Sequence, residues 1–371
     1  MSNLRRTEVL VAGGGPAGLA AAIAARQAGF EVAVVDCAQP PIDKACGEGI
    51  MPDGLAALSA LGIDVDERHA APFRGIRFIN GPREVEASFP CGVGYGIRRT
   101  LLHRWLVDRA AECGVSLHWG RRITGLSPEG LLVERDVVSS RWLICADGQN
   151  SKLRKLSGLD PARSPHCRFG FRRHYRVAPW SEFVEVCWSD LGQMYVTPVA
   201  EDQVCIALIT SRNGLRFDAA LLSFPQLASR LKQATILGTT LGATTASRRL
   251  RNVQTGSIAL IGEAAGSVDA ITGEGLSIAF QQAIALADAM RAGDLSAYDA
   301  AHARVTRMPR RMAVLMLLMD NRRWLRDRAF RALTVDPGFF ERMLAMHTGT
   351  IAPVEFGLGP SLSFGWRLLT A

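Results

Sequence analysis

The chain has 371 residues, 48% hydrophobic and 21% charged, with a formal net charge of +8. That length suits two lobes sharing a core or one large α/β domain, and the composition is that of an ordinary globular protein rather than a disordered chain. The positive charge is compatible with an acidic substrate, a nicotinamide phosphate or an anionic membrane surface. The arginines are spread along the chain, with no basic run interleaved with aromatics, which argues against nucleic-acid binding.

No uncharged apolar stretch is long enough to span a bilayer. The first six residues lead straight into an apolar run and leave no room for a signal peptide, so a cytoplasmic location is expected. Cys37, Cys46, Cys91, Cys113, Cys145, Cys167, Cys187 and Cys205 form no C-x-x-C and no Cys/His cluster. Reduced thiols and no metal site are expected.

In chain order, Glu8 to Asp36 comes first: Val9 to Ala12 as a strand, the turn Gly13-Gly14-Gly15-Pro16-Ala17-Gly18, an alanine-rich helix, a second strand at Val32 to Val35, and the acid Asp36. This is the order of a dinucleotide-binding βαβ unit. Gly13 permits the tight turn, Gly15 lets backbone approach a pyrophosphate, and Gly18 lets helix and strand pack closely. The helix N-terminus offers unpaired N–H groups to phosphate, and Asp36 can accept from both ribose hydroxyls.

The loop Lys44-Ala45-Cys46-Gly47-Glu48-Gly49 reads as backbone brought close to a ligand, with a flexible surface loop as the alternative. Asp53 to Leu61 reads as a short helix, and 76–79 and 84–89 as hairpin strands. Arg98 and Arg99 precede a helix running from Leu101 to about Cys113; a cation there opposes the helix dipole, which favours an anion near Arg99. Val115 to Trp119 is the next parallel strand, followed by strands near 121–126 and 131–135 and a buried one at 141–146. That strand delivers Asp147-Gly148 to the sheet edge where open α/β sheets bind ligands.

Between Arg168 and Ser211 the pattern becomes period-2, four runs that read as an inserted antiparallel sheet whose inner face walls a pocket. Arg172 and His174 on it are candidate substrate contacts, with a solvated strand face as the alternative. Residues 215–245 read as helical and then loop-like. A further strand at 256–261 ends in Gly262-Glu263, and Gly273-Glu274-Gly275 opens a helix through Met290, which repeats the strand, glycine loop and helix logic. Residues 298–346 read as helical, a packing element in preference to a membrane-contacting one. The Gly/Pro/Ser-rich end is expected to be weakly ordered.

With these motifs in place, the chain resembles FAD-dependent monooxygenases of the para-hydroxybenzoate hydroxylase type, and within them the geranylgeranyl-reductase-like branch, over residues 8–290. The residues that carry it are Gly13-x-Gly15-x-x-Gly18 with Asp36, Arg99-x-x-Leu102, Asp147-Gly148, and Gly262-Glu263 with Gly273 to Gly275. The resemblance implies a Rossmann-like FAD-binding domain (1–165 and 250–295), an inserted antiparallel-sheet substrate domain (166–249), a helical C-terminal region (296–350) and a tail (351–371). It implies that Gly13, Gly15, Pro16, Ala17 and Gly18 hold the pyrophosphate, Asp36 the adenosine ribose, Arg99 the phosphate-ribityl region, and Asp147 and Gly148 the cofactor. Gly262 and Glu263 would meet the ribityl chain, and Gly273 and Gly275 would lie beside the isoalloxazine. The chain departs from the family at Glu263, where Asp is usual, and at Ala270, where Pro is usual.

Lys44 to Gly49 is similar to the Lys-x-Cys-Gly-x-Gly loop of the reductase branch, which implies Lys44 and Cys46 near the flavin and makes Cys46 a candidate proton donor. Tyr195, Thr197 and Pro198 are similar to the substrate sheet of both branches. The function implied is an NAD(P)H-dependent monooxygenase hydroxylating or epoxidising an apolar or aromatic, polyketide-type secondary metabolite. The alternative is a flavin-dependent reductase or dehydrogenase of C=C bonds in a prenyl or polyketide chain. With one complete dinucleotide fingerprint, NAD(P)H would bind only transiently, and the missing Trp-x-Trp pair argues against a halogenase.

Overall fold

The computed structural model describes residues 4–160 and 167–352, so most of the tail, 353–371, lies outside the described residues. The runs around Val9–Ala12, Val32–Val35 and Trp142–Cys145 are apolar without alternation because their strands are covered on both faces. Arg6–Ala12 lies between Val32–Asp36 and Asp136–Cys145, parallel to both. Ser116–Trp119 continues the sheet on one side and Ile258–Leu260 on the other, again in parallel. Parallel strands end on one edge, so the turns after residues 12, 36, 145 and 260 converge there. Helix Pro16–Gln27 buries Gly18 to Ala25 against this sheet and against helix Gly275–Ala292.

The second sheet has seven strands, in the order Thr235–Ala246, Cys167–Arg176, Gln203–Thr210, Gly192–Ala200, Phe183–Ser189, Gly75–Asn80, Arg83–Ser88. It is wider than the sequence implied. The hairpin at 75–88 joins it through a parallel pairing with Phe183–Ser189. Thr235–Ala246, read from sequence as helix then loop, is an edge strand paired along the whole of Cys167–Arg176. Its run Thr-Ile-Leu-Gly-Thr-Thr-Leu-Gly-Ala-Thr-Thr-Ala is half exposed, with one buried position, and only weakly hydrophobic. The pairing, not local propensity, makes it a strand.

The second sheet is covered twice. Short helices Phe217–Leu221 and Pro225–Leu231 pack on one face, with Met194, Ile206 and Leu208. The C-terminal helices cover the other, where Met316, Met319, Phe330 and Phe340 meet Val184, Val186 and Trp188. The helical region expected at 298–346 is three helices, Ser296–Asn321, Arg323–Val335 and Pro337–His347. The last break is built from Asp336, whose side chain accepts from the Phe339 N–H, and Pro337 at the first helical position.

Candidate active site

A cavity of about 1040 Å³ runs between the two sheets. It is lined by the converged turns at one end and by the second sheet and the C-terminal helices at the other. That is larger than a typical single-ligand pocket and leaves room for a cofactor and a second molecule.

At the first turn Gly13 has φ of 118°, and a Cβ there would strike the Ala146 carbonyl; a Cβ on Gly18 would strike the Gly13 carbonyl. No other residue permits that packing. The Gly14 peptide is pinned from both sides. Its N–H donates to Asp36 Oδ2 at 2.6 Å, and its carbonyl meets His103 Nε2 at 2.9 Å. Burial, the largest influence, lowers the pKa of His103, so the imidazole is neutral and donates to that carbonyl. His103 carries no motif, and the sequence reading missed it.

The loop after Asp36 is fixed by Glu48, which is 1% exposed and adopts φ of 62°, unusual for a residue with a side chain. Its Oε1 accepts from the Arg99 N–H and from Arg172 Nη1, each at 2.9 Å, and its Oε2 meets His174 Nε2 at 2.6 Å. Burial alone would raise this carboxyl, but His174, the Arg99 N–H and Arg172 outweigh it and hold it below the ordinary value. Glu48 is a caged anion. Its own N–H donates to Cys46 Sγ at 3.4 Å, and Cys205 Sγ donates to the Cys46 carbonyl at 3.7 Å, so the cage also sets the position of Cys46 on the cavity wall.

Arg172 and His174, the candidate substrate contacts, stand behind the cavity wall. Both are buried, neither lines the cavity, and both are spent on Glu48, Arg172 being paired with Asp43 as well. Glu48, His174 and Cys205 bring possible metal-ligand atoms within 4.8 Å of one another. The Arg172 guanidinium already occupies the cationic role there, and burial keeps the Cys205 thiol protonated.

Asp147 lines the cavity, but its carboxylate is committed locally: it accepts from Ser151 Oγ at 2.5 Å and from the Lys152 and Leu153 N–H groups. Arg154, 1% exposed, ties this loop to the next by donating to the Gln149 and Ala264 carbonyls. At the Gly262 turn the N–H donates to Gln282 Oε1 at 2.8 Å, and Glu263 pairs with Lys44 at 2.6 Å across the cavity mouth. Asp269 caps the 3-10 turn before Gly273 and is paired with Arg168, which also binds Gln193 and Asp320. That network fixes the Gly273 loop to both the second sheet and the C-terminal helices.

Beyond this loop the walls are apolar. Met51, Phe73, Ile76, Phe78, Val184, Val186 and Ile209 face Met312, Met316, Leu333, Phe340 and Leu344. The polar members are few. Tyr195 donates to the Ile271 carbonyl at 2.6 Å, and burial pushes its hydroxyl well above the ordinary range, so it stays neutral. His347 lines the cavity 3.3 Å from Glu274. Burial pushes the His347 imidazole down to about 4, while burial and then Asp53 push the Glu274 carboxyl up. The contact therefore joins a neutral acid to a neutral imidazole.

Of the residues singled out from sequence, Gly13, Gly15, Pro16, Ala17, Asp36, Lys44, Cys46, Arg99, Asp147, Gly148, Gly262, Glu263, Gly273, Gly275, Tyr195 and Thr197 line this one cavity. Gly18 supports it from behind. Pro198 does not reach it: its carbonyl lies against Gly96, where a Cβ would collide.

A glycine-turn dinucleotide domain joined to a sheet-walled apolar chamber defines a nucleotide-cofactor oxidoreductase. A family model described as the FAD binding domain matches residues 6–213, and the chain belongs to that family. It is an FAD-dependent oxidoreductase. It is 28% identical over 355 residues to a menaquinone reductase of Mycolicibacterium smegmatis, covering 84% of this chain and 85% of that one. It is also 28% identical over 295 residues to digeranylgeranylglycerophospholipid reductase 2 of Methanopyrus kandleri, covering 72% and 73%. A flavoprotein/dehydrogenase from Cytophaga hutchinsonii has the same fold, with a TM-score of 0.82 at 18% identity over 98% of this chain and 100% of that one.

The cavity fits FAD on its own terms. Gly15, Gly148, Gly273 and Gly275 line it with open space where a Cβ would stand, a backbone cradle along its length. Arg99 lines it too, and its Nε is buried with no hydrogen-bond partner among the described residues.

Proposed function

We propose that the protein reduces carbon–carbon double bonds in a long apolar, prenyl-type substrate, with NAD(P)H as the transient source of electrons. The observation that carries this reading is the chamber beyond the Gly273 loop, walled by methionine, phenylalanine and branched aliphatic side chains. The names of the relatives, reductases of a prenylated quinone and of a prenylated lipid, support it. An aromatic hydroxylase needs polar groups to orient a phenol-like ring, and here Arg172, His174 and Tyr195 are already committed within the protein.

FAD, when bound, supplies hydride transfer. The Gly13 to Gly18 turn and the helix behind it would hold the pyrophosphate, Asp36 and Arg99 the ribose and phosphate region, and the Gly262 and Gly273 loops the flavin end. The chamber residues orient the chain and exclude water. Saturating a double bond takes a hydride and a proton, and Cys46 Sγ, held by the Glu48 N–H at the cavity wall, is the group offered for the proton.

The test is product mass under anaerobic and labelled-oxygen conditions with a prenylated quinone or lipid. A gain of two hydrogens without oxygen supports the reading. Incorporation of labelled oxygen returns the protein to hydroxylation or epoxidation and overturns it.

A further inference from the structure

Helix Ser296–Asn321 packs one side against helix Gly275–Ala292, the Ala270–Thr272 turn and helix Arg323–Val335, and its other side is open among the described residues. On the open side Arg304, Arg307, Arg311, Val314, Leu315, Leu318 and Arg322 recur at three- and four-residue steps, the spacing of one helical face, and all are exposed. The order along the axis matters: arginines, then an apolar centre, then Arg322, Arg323 and Trp324. Val314 is 60% exposed and Leu318, one turn on, 42%, and Trp324, just past the end of the helix, is 56% exposed among the described residues. Isolated exposed apolar residues are ordinary; a grouped set bounded by cations is the mark of an interaction face.

Charge narrows the occupant. Residues 296–335 hold nine arginines and three aspartates, an excess of six in a chain whose net charge is +8. Asp320 is turned inward to Arg168, Asp327 is engaged by Asn80 and Arg323, and Asp190 pairs with Arg323 and Arg326, which leaves Arg304, Arg307, Arg311 and Arg322 without an ion pair among the described residues. A second copy docked here about a two-fold axis would oppose one cationic surface with another. Position gives a further reason. Leu315 and Leu318 belong both to this face and to the wall of the apolar chamber, so the patch is the chamber's outer lip.

We propose that this face is a docking surface for an anionic lipid bilayer. Val314, Leu318 and the Trp324 ring enter the headgroup boundary while Arg304, Arg307, Arg311 and Arg322 meet lipid phosphates. No helix among the described residues is long and apolar enough to cross a membrane, so the contact is peripheral. Resting on the proposed function, one further consequence follows: the chamber opens toward the bilayer, and a prenyl chain enters it without crossing water.

The test is co-sedimentation of the full FAD-loaded chain with vesicles of phosphatidylcholine alone and with one-third phosphatidylglycerol, at low and high salt. Binding is expected to be at least about tenfold stronger to the anionic vesicles and to weaken with salt. V314E with W324S, neither of which lines the chamber, is expected to abolish it. R304Q with R307Q and R311Q is expected to remove the preference for anionic lipid. Flavin absorbance and the thermal transition should match the parent in each variant. Equal binding by V314E/W324S, binding without preference for anionic lipid, or a dimer in solution that V314E dissociates would each overturn the proposal. Vesicle binding is read without substrate, so its failure is separate from failure of the reductase assay.

Discussion

At the cofactor end of the cavity almost every polar group that sets a turn is bonded to a specific atom: Gly14 to Asp36 and His103, Gly262 to Gln282, Glu48 to Arg99, Arg172 and His174. At the chamber end the walls are Met, Phe, Val and Leu from strands and helices more than a hundred residues apart, held by packing. The first is a rigid cradle in which one wrong atom closes the site. The second is a volume whose shape can change while its chemistry stays the same. The two ends should therefore respond differently to substitution.

The largest effect is expected at the cradle. G13V places a branched side chain at φ of 118° against the Ala146 carbonyl. The purified protein is expected to be colourless and not to be reconstituted by added FAD, as read by flavin absorbance. Next comes E48A, which removes the anion from a buried cage and leaves Arg172 with Asp43 alone. A loss of about 3–5 kcal/mol in denaturant unfolding is expected, on the scale of broken buried ion pairs. If E48A cost no more than an exposed pair, the cage would not be what fixes the Cys46 loop.

The chamber gives a smaller and more selective response. A207W fills space on its sheet wall and is expected to leave flavin content unchanged while raising KM for a prenylated substrate by at least about tenfold, on the scale of several misplaced methylenes. A parallel loss of flavin would mean the two ends are not independent.

The smallest effect is a pH dependence. The folded state raises the Glu274 carboxyl above its ordinary 4.5, so the fold retains a proton that the unfolded chain releases. Stability from this group is full below about 4.5 and is lost as pH rises toward the folded value. E274Q, which keeps the shape without the proton, should therefore melt higher than the parent at pH 8, with the gain shrinking toward pH 4.5. His347, lowered from 6.5 to about 4, acts oppositely, costing stability as pH falls through that window in both proteins. A gain independent of pH would contradict the assignment of a neutral Glu274.

The same contrast explains what could be read in advance. Gly13 to Gly18 with Asp36, and Gly262 to Gly275, are local: the residues that cooperate lie within one strand–turn–helix unit, so their spacing carries the geometry. Glu48 and Arg172 cooperate across 124 positions, and nothing local to either reveals the other. For Arg172 and His174 the sequence leaves substrate contact and a solvated face both open, because alternation gives a strand two faces but does not say what covers each. Thr235–Ala246 was missed for a related reason, since its strand character comes from the neighbour it pairs with. Arg304 to Arg322 was legible as an amphipathic helix, but the placing of Leu315 and Leu318 on both surface and chamber required the fold.

The cradle and the apolar chamber line one continuous cavity, and ligand binding read through the flavin reports on both ends at once. Titration of the oxidised, FAD-loaded protein with a prenylated quinone or lipid should perturb the flavin absorbance saturably, and A207W should shift that titration to higher concentration. Tight binding of the same ligand with no change in the flavin spectrum would contradict the account.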